Sequence, residues 1–211
     1  MTGFEGFPEA ALDFYEDLEM DNTRSFWAAH KDVYETSVRA PMAALLGELE
    51  PEFGTAKVYR PYRDVRYAKD KTPYKTHQGG FVASGESTGW YVQVDPRGVM
   101  IGVGCYATTR EALGRMRDAI VDDRRGGELE ALLTRLEASG WTVSGDRLKT
   151  TPRGYDPQHP RIELLRYKAI HATRSYGFEP VIHTAELRER IAEHWRAGAP
   201  LIGWLKDNGV T

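Results

Sequence analysis

The sequence predicts an α+β protein in which N-terminal and C-terminal helices pack on a mostly antiparallel sheet. Apolar residues recur at helical spacing near both ends of the chain, whereas the segments between them alternate with a period of two and are separated by Gly and Pro. The 211 residues are 41% hydrophobic and 28% charged, which excludes disorder and suffices to bury one core. We therefore expect residues 1–211 to form a single domain.

The N-terminal quarter is predicted to contain three helices. The first spans residues 8–18. The second begins at a cap, Asp21 or Asn22, and continues until Pro41 interrupts it, and Pro41 then begins a third helix that ends at Gly54. The residues predicted to be buried on the first and third helices are Ala11, Phe14, Tyr15, Leu18, Met42, Leu45, Leu46, Leu49 and Phe53.

Two β-hairpins are predicted in the middle of the chain. In the first, residues 90–95 and 99–106 flank Asp95-Pro96-Arg97-Gly98, a turn sequence in which Pro presets φ and Gly takes a left-handed conformation. In the second, residues 141–144 and 147–150 surround the two-residue turn Gly145-Asp146. Pairing in the first hairpin places six residues on one buried face, namely Trp90, Val92, Val94, Val99, Ile101 and Val103.

The rest of the chain is predicted to alternate between helices, strands and loops. A helix begun by the capping box Thr108-x-x-Glu111 is followed by a solvated loop over 122–127 and by a second helix that stops at Gly140. A proline-rich loop over 151–160, a short element over 161–167 and a strand over 168–174 come next. The chain ends with a helix capped by Thr184 and a last short helix begun by Pro200. The proline-rich loop is of interest because loops often carry function.

Composition and motifs exclude several classes of protein. The longest stretch free of charge and strong polarity, residues 99–107, is far shorter than the ~20 residues of a membrane span, and the N-terminus has no secretory signal, so we expect a cytoplasmic protein with no membrane partner. Cys105 is the single cysteine, which excludes a disulfide within one chain. The motifs of phosphate-binding loops, dinucleotide folds, zinc proteases and serine hydrolases are absent, so we expect neither a metal nor a cofactor.

Charge is strongly segregated along the chain. The net charge of −3 combines −9 over residues 1–56 with two basic islands, residues 57–77 and residues 147–174, each of which carries +5. Such islands indicate either a local anion-binding site or internal pairing with the acidic N-terminal helices.

The first island holds the strongest candidate chemistry. In an extended chain, side chains two residues apart share a side, so Asp64 can orient Arg66 and leave part of its guanidinium free to bind phosphate or carboxylate. The sequence Asp70-Lys71-Thr72-Pro73 is typical of a turn that presents Lys71 and Tyr74 nearby. The competing interpretation is a charged edge strand with salt bridges to the N-terminal helices.

We expect the two islands to converge around one negatively charged ligand. Each contains an X-Pro loop, a tyrosine and a candidate histidine, which is His77 in the first and His159 in the second. Tyr74 or His159 would supply a titratable donor, and these two residues are the catalytic candidates. The predicted ligand-binding residues are Arg63, Asp64, Arg66, Lys71, Tyr74, Lys75 and Arg153.

Three motifs resemble the signature of a family of hypothetical proteins from bacteria and fungi called domain of unknown function 2461. The motifs are Asn22-Thr23-Arg24-Ser25-Phe26-Trp27 with His30-Lys31 and Tyr34, Arg63-Asp64-Val65-Arg66-Tyr67 with Asp70-Lys71-Thr72-Pro73-Tyr74-Lys75-Thr76, and Thr151-Pro152-Arg153-Gly154-Tyr155 with His159-Pro160. The resemblance spans nearly the whole chain. It implies one compact domain and adds no activity, cofactor or substrate.

Three function classes remain. The first is a protein with a basic pocket for a phosphorylated or carboxylated small molecule, and the sequence leaves open whether such a protein is an enzyme. The second is an RNA-binding protein that uses residues 57–77, where tyrosines alternate with basic residues. An isoelectric point near 6.1 disfavours a broad nucleic-acid surface. The third is a structural or partner-binding domain whose charges pair internally.

Overall fold

The computed structural model describes residues 3–106 and 108–210 and confirms the α+β class, with helices at both ends and an antiparallel sheet. The α-helices are α1 (Glu9–Met20), α2 (Arg24–Val33), α3 (Ala40–Phe53), α4 (Arg110–Val121), α5 (Asp123–Ala138), α6 (Ile162–Leu165) and α7 (Glu186–Asp207). A π-helix (Tyr34–Arg39) joins α2 to α3, and a 3₁₀-helix (Pro180–His183) precedes α7. The strands are β1 (Thr55–Val58), β2 (Gln78–Ala83), β3 (Thr88–Asp95), β4 (Gly98–Cys105), β5 (Thr142–Ser144) and β6 (His171–Gly177). They hydrogen-bond in the order β1-β2-β3-β4-β6-β5.

The chain divides into two compact units. The first unit comprises the described parts of residues 1–82, 91–101 and 175–193. The second unit comprises the described parts of residues 83–90, 102–174 and 194–211. That residues 1–211 form one domain stays a prediction. None of the described helices is long and apolar enough to cross a membrane.

Ring contacts fix the first helix within the first unit. The predicted helix over 8–18 is confirmed as α1, which buries the predicted apolar face. The Phe14 ring packs edge to face against Tyr15, with centroids 5.1 Å apart, and against Trp27 of α2, with centroids 5.7 Å apart. Aromatic pairs of this kind contribute about 0.5–1.5 kcal/mol beyond the burial of their area. α1 and α2 are therefore held together by specific ring geometry.

The N-cap of the second helix lies one residue after Asn22 and two residues after Asp21, the two predicted caps. Thr23 is the N-cap, because its hydroxyl accepts a hydrogen bond from the Phe26 backbone N–H (3.2 Å). Asp21 and Asn22 do not cap this helix, and the Asn22 side chain is used elsewhere in the first unit.

The break predicted at Pro41 is wrong, because a π-helix joins α2 directly to α3. The backbone N–H of Ala40 donates to the carbonyl of Glu35, five residues earlier. Pro41 then lies in the first turn of α3, directly after the π-helix, so the helix continues through a residue that has no backbone N–H to donate. Tyr34 and Val38 stay buried through the π-helix. The apolar periodicity therefore continues across a junction that the proline alone marks as a break.

The first predicted hairpin is confirmed. β3 ends at Asp95 and β4 begins at Gly98, so Pro96 and Arg97 form the turn. The Asp95 carboxylate accepts a hydrogen bond from the Arg97 backbone N–H (2.7 Å), which closes this turn. The six residues predicted to share the buried face are each at most 4% exposed, and they are Trp90, Val92, Val94, Val99, Ile101 and Val103.

The second predicted hairpin is wrong. β5 pairs with the distant strand β6, antiparallel, with Ser144 opposite His171. Arg147, which was expected to start the return strand, forms an isolated bridge with Tyr167. Gly145 has a φ of +151°, and a Cβ there would overlap a backbone carbonyl oxygen of a neighbouring segment. Glycine is therefore needed at this position because another segment of the backbone packs closely against it, and not because the chain makes a hairpin turn there.

Two helix starts in the second unit also differ from the predictions. Residues 123–127, expected to form a loop, are the first turns of α5, because the Asp122 carboxylate accepts a hydrogen bond from the Arg125 backbone N–H (2.9 Å) and caps the helix. The cap of α4 is Thr109 and not Thr108. Asp, Asn and Thr side chains are all favoured as caps and occur at neighbouring positions, so the sequence identifies these helix starts only to within a few residues.

α7 continues through Pro200, where a separate short helix was predicted. A proline inside a helix removes one hydrogen bond and costs about 3 kcal/mol. Leu201 and Leu205, which follow the proline on the same helix, are fully buried. Their packing offsets the cost, which a rule based on local sequence does not include.

We expect Gly98→Ala to lower the free energy of unfolding by at least about 2 kcal/mol. Gly98 has a φ of +105°, and a Cβ there would overlap the carbonyl oxygen of Gly177. The measurement is chemical denaturation of both variants and the unchanged protein. Gly47→Ala is the matched control, because Gly47 lies on an exposed face of α3 with open space around its Cα, and we expect that variant to be about 0.5–1 kcal/mol more stable. Equal stability of the two variants would contradict the role of Gly98.

Candidate functional site

The first basic island forms the end of β1 and the loop that follows it. We call residues 59–77, between β1 and β2, the basic loop. Tyr62 pairs with Tyr74 in an isolated antiparallel bridge, flanked on both sides by backbone hydrogen bonds of 2.9 and 2.8 Å. The two ends of the loop therefore run as short extended arms. The most charged residues lie between them, in residues 63–73, which we call the charged excursion.

Asn22 and Trp27 anchor the basic loop to the N-terminal helices. The Asn22 side chain accepts a hydrogen bond from the Tyr74 backbone N–H (3.1 Å) and donates one to the Tyr74 carbonyl (3.0 Å). The Trp27 indole stacks on the Tyr74 ring, with centroids 4.1 Å apart and planes 6° apart. We call these three residues the Tyr74 clamp. The clamp joins two segments that are 52 residues apart in the chain.

A concave pocket of about 450 Å³ lies between the N-terminal helices and the basic loop. We call it the Tyr59 pocket, and its volume falls within the range of small-molecule sites. All of its lining residues belong to the first unit. They are Trp27, Lys31, Tyr34, Glu35, Arg39, Val58, Tyr59, Arg60, Pro61 and Tyr62. A groove of similar volume near the N-terminus has Glu5 as the one charged residue of its lining, so it offers less chemistry.

The π-helix builds one wall of the Tyr59 pocket with Tyr34, Glu35 and Arg39. π-helical turns are rare in proteins, and a large share of those that do occur lie at functional sites. The Tyr34 hydroxyl donates a hydrogen bond to Gln78 Oε1 (2.7 Å), and Gln78 Nε2 donates one to the Tyr59 carbonyl (2.8 Å). Burial raises the pKa of Tyr34 to about 12, so its hydroxyl remains a donor at neutral pH. This buried bridge connects the helical wall of the pocket to the opposite wall.

The Tyr59 pocket has an excess of positive charge. Three cationic side chains and one carboxylate line it, which gives a net charge of +2. Arg39 pairs with Glu35 at 3.1 Å. In the part of the chain that the structure describes, Lys31 and Arg60 form no ion pair. Two of the three cations are therefore available to a ligand.

Lys75 adds a fourth cation beside the pocket. Its ammonium group lies over the ring of Tyr59, 5.5 Å from the centroid. Burial lowers the pKa of Lys75, and the positive charge of Arg60 lowers it further. Within the described residues Lys75 has no carboxylate partner. The arrangement brings two like charges together at an aromatic wall, and a bound anion would relieve their repulsion.

The predicted residues of the charged excursion are paired within the basic loop. Asp64 accepts hydrogen bonds from Arg66 Nε (2.9 Å) and Arg66 Nη2 (2.6 Å), in the arrangement that the two-residue spacing predicts. Arg63 pairs with Asp70 and donates a hydrogen bond to the Thr72 hydroxyl. These ion pairs are local. Among the described residues, no cation of the basic loop pairs with a carboxylate of the N-terminal helices.

Lys71 and Tyr74 serve the structure of the loop. The Lys71 ammonium donates to the Val65 carbonyl (2.9 Å), across the charged excursion. Tyr74 is 6% exposed, and burial raises the pKa of its hydroxyl. Its ring is an anchor in the Tyr74 clamp, and a catalytic role for it stays a prediction.

The second island, residues 147–174, lies entirely in the second unit. Arg153 is exposed in the loop that precedes α6. His159 accepts a hydrogen bond on Nδ1 from the Arg161 backbone N–H (3.0 Å), and the Arg161 guanidinium pairs with Glu130 (2.8 Å). Lys168 likewise pairs with a carboxylate of its own unit. The convergence of the two islands on one ligand stays a prediction, as does a proton-transfer role for His159.

Sequence reasoning missed three cations of the Tyr59 pocket, namely Lys31, Arg39 and Arg60. A signal for one of them is present, because Trp27, Lys31 and Tyr34 follow a spacing of four and three residues and share one side of a helix. The position of Arg39 depends on the π-helix, and that of Arg60 depends on how the basic loop closes. Neither is encoded in a local pattern.

The protein is thus of the α+β class, with a cationic, aromatic-lined pocket held between its N-terminal helices and a basic loop. The chain belongs to the family described as "Conserved hypothetical protein (DUF2461)", whose model matches residues 10–204. It has no significant match among curated proteins and none among solved structures. Over the described residues, no group of three or more His, Cys, Asp or Glu side chains is arranged to hold a metal ion.

We expect Asn22→Ala to lower the free energy of unfolding by about 1–2 kcal/mol, because the backbone donor and acceptor of Tyr74 both lose their partner. We also expect faster trypsin cleavage within the basic loop, which this side chain anchors. The measurements are urea denaturation and limited proteolysis followed by mass spectrometry. Asp21→Ala is the control, because Asp21 is the neighbouring exposed residue. Identical cleavage rates in both variants would show that the clamp does not hold the loop.

Proposed function

We propose that the Tyr59 pocket binds a small phosphorylated or carboxylated molecule. The observation that carries the proposal is the combination of a concave volume of about 450 Å³ with three cationic side chains and one carboxylate in its lining. Unpaired cations near one another are stabilised by a bound anion, and charge-assisted hydrogen bonds are about twice as strong as neutral ones. The proposal assigns binding and no reaction.

The charges that support this proposal differ from most of those predicted from the sequence. Lys31 and Arg60 line the pocket without an ion pair among the described residues, and Lys75 lies against the Tyr59 ring. Of the predicted ligand residues, Lys75 is therefore the one best placed to contact the ligand. Arg63, Asp64, Arg66 and Lys71 would act by holding the basic loop in shape, and Arg153 would take part if the islands converge.

A second candidate function is RNA binding by the exposed part of the basic loop. Tyr67 is 96% exposed, and Arg66 and Lys69 beside it are exposed as well. An exposed ring among cations is typical of surfaces that stack on unpaired bases. The charge of the first unit weighs against a broad contact, because the N-terminal segment carries −9. An internal role for the charges as a structural device remains the third alternative, supported by the local pairs of Arg63 and Arg66.

We expect Arg60→Ala to weaken the binding of pocket ligands about tenfold to a hundredfold, the usual effect of removing a charge-assisted hydrogen bond. The measurement is isothermal titration with inorganic phosphate, pyrophosphate, citrate and phosphorylated metabolites. Lys69→Ala is the matched control, since it removes the same charge from an exposed position outside the pocket lining.

Three results of this experiment have distinct meanings. Weaker binding in Arg60→Ala alone supports the Tyr59 pocket. Binding of short RNA that depends on Lys69 and weakens steeply with salt would favour the RNA alternative. Absence of binding to every anion tested would contradict both functions and favour the structural alternative.

We expect the affinity for a phosphate monoester to fall as the pH rises through the alkaline range, starting at lower pH than an ordinary lysine, with its pKa of about 10.4, would cause. Burial and the positive charge of Arg60 lower the pKa of Lys75, so its positive charge is present below the lowered pKa and is lost as the pH rises through it. The ligand is a dianion throughout this range. Lys75→Arg should remove this pH dependence, because arginine stays protonated. The same fall in both proteins would exclude Lys75 as its cause.

A further inference from the structure

Tyr62 is the most exposed ring in the lining of the Tyr59 pocket. It is 51% exposed, whereas Trp27 is 6% exposed and Tyr34 is 1% exposed. Its ring meets Trp27 at a centroid distance of 6.2 Å and Tyr74 at 5.5 Å, both at tilts near 45°. Neither neighbour stacks flat on it. A large part of an aromatic surface is therefore presented to solvent at the pocket, where burial by a ligand would stabilise it.

A cation is held next to this ring by the covalent chain. Arg60 and Tyr62 both line the pocket and are separated by Pro61. Proline restricts the residue before it to extended conformations, which fixes the spacing of the two side chains more tightly than a flexible linker would. Side chains two residues apart on an extended chain are about 6.6 Å apart along the strand. The pocket thus offers a stacking surface and a guanidinium whose separation roughly matches the distance between an aromatic ring and a charged substituent in one ligand.

The opposite wall completes this pattern. Lys31 adds a second cation without an ion pair among the described residues, and Tyr34 and Trp27 add apolar ring area that is already buried. A ligand with charge alone would use the cations and leave the Tyr62 ring exposed. A ligand with a planar ring and an anionic group would use both.

We infer that the Tyr59 pocket takes an aromatic or heteroaromatic ring that carries a phosphate or carboxylate group, as in a nucleoside monophosphate or an aryl phosphate. This inference rests on the proposed function and narrows its ligand class. Tyr62 supplies the stacking surface, and Arg60 and Lys31 bind the anionic group. Stacking on a tyrosine accepts any planar ring, so the selectivity expected is for the presence of a ring and not for its identity.

The test compares ligands that share an anion and differ in the ring. Adenosine 5′-monophosphate and phenyl phosphate are titrated against ribose 5-phosphate and inorganic phosphate, and adenosine is included as a ring without the anion. We expect the two ring-bearing phosphates to bind about tenfold more tightly than ribose 5-phosphate, the usual effect of one stacking contact. Adenosine alone should bind more weakly than adenosine 5′-monophosphate.

Variants of Tyr62 assign the preference to this residue. Tyr62→Leu should abolish the preference for a ring, and Tyr62→Phe should keep it, because phenylalanine preserves the stacking surface. Tyr67→Leu is the matched control, since Tyr67 is 96% exposed and lies outside the pocket lining. Thermal unfolding of each variant verifies that it folds, and the half-exposed position of Tyr62 makes the substitution tolerable.

Each outcome decides between the two claims. Equal binding of ribose 5-phosphate and adenosine 5′-monophosphate overturns the ring inference and leaves the proposed anion-binding function intact. A ring preference that survives in Tyr62→Leu, or that disappears in Tyr67→Leu, also overturns it. If neither the phosphate compounds nor citrate bind the unchanged protein, the proposed function itself fails.

Discussion

The Tyr74 clamp is the contact on which the site depends. The basic loop carries six basic residues and two carboxylates, so its charges would repel one another and leave the loop mobile unless a contact outside it fixed its ends. Asn22 satisfies both backbone groups of Tyr74, which a neighbouring strand would otherwise have to do, and Trp27 covers the Tyr74 ring. Because the clamp places the loop against α2, it also creates the concave volume between them. The stability of the loop and the existence of the Tyr59 pocket therefore have the same cause.

A polar bridge and an irregular helix shape the interior of the pocket. An ordinary α-helical junction would rotate Glu35 and Arg39 away from their present positions, because a π-helical turn holds about one more residue than an α-helical turn. The Tyr34 to Gln78 hydrogen bond is buried, so leaving either partner unsatisfied would cost about 1–3 kcal/mol. The π-helix is thus fixed by a tertiary contact, and its rarity is consistent with a role in presenting side chains to a ligand.

The electrostatics of the first unit separate structural charges from those available to a ligand. Exposed ion pairs such as Asp64 with Arg66 contribute little to stability, so they set the geometry of the basic loop more than its stability. Arg60 and Lys75 differ in kind, because they lie near each other beside an aromatic wall, and burial together with the charge of Arg60 lowers the pKa of Lys75. A stability cost that the chain itself does not compensate is typical of binding sites.

The sequence by itself determined the elements whose signals are local. The buried face of α1 and the faces of the first hairpin follow from periodicity and from the turn at Pro96 and Arg97, and the pairing of Asp64 with Arg66 follows from spacing alone. The basic segment was also identified as the place of the candidate site.

Only the tertiary structure decided the features that depend on distant residues. β5 pairs with β6 and not with the segment that directly follows it in the sequence. Pro200 is helical because buried leucines follow it on the same helix. Arg60 lines the pocket because the clamp holds Tyr74 against α2. In each case a contact between segments far apart in the chain contributes more free energy than the local preference it opposes. Local patterns report preferences of a few residues, whereas packing sums over all the neighbours that those residues meet.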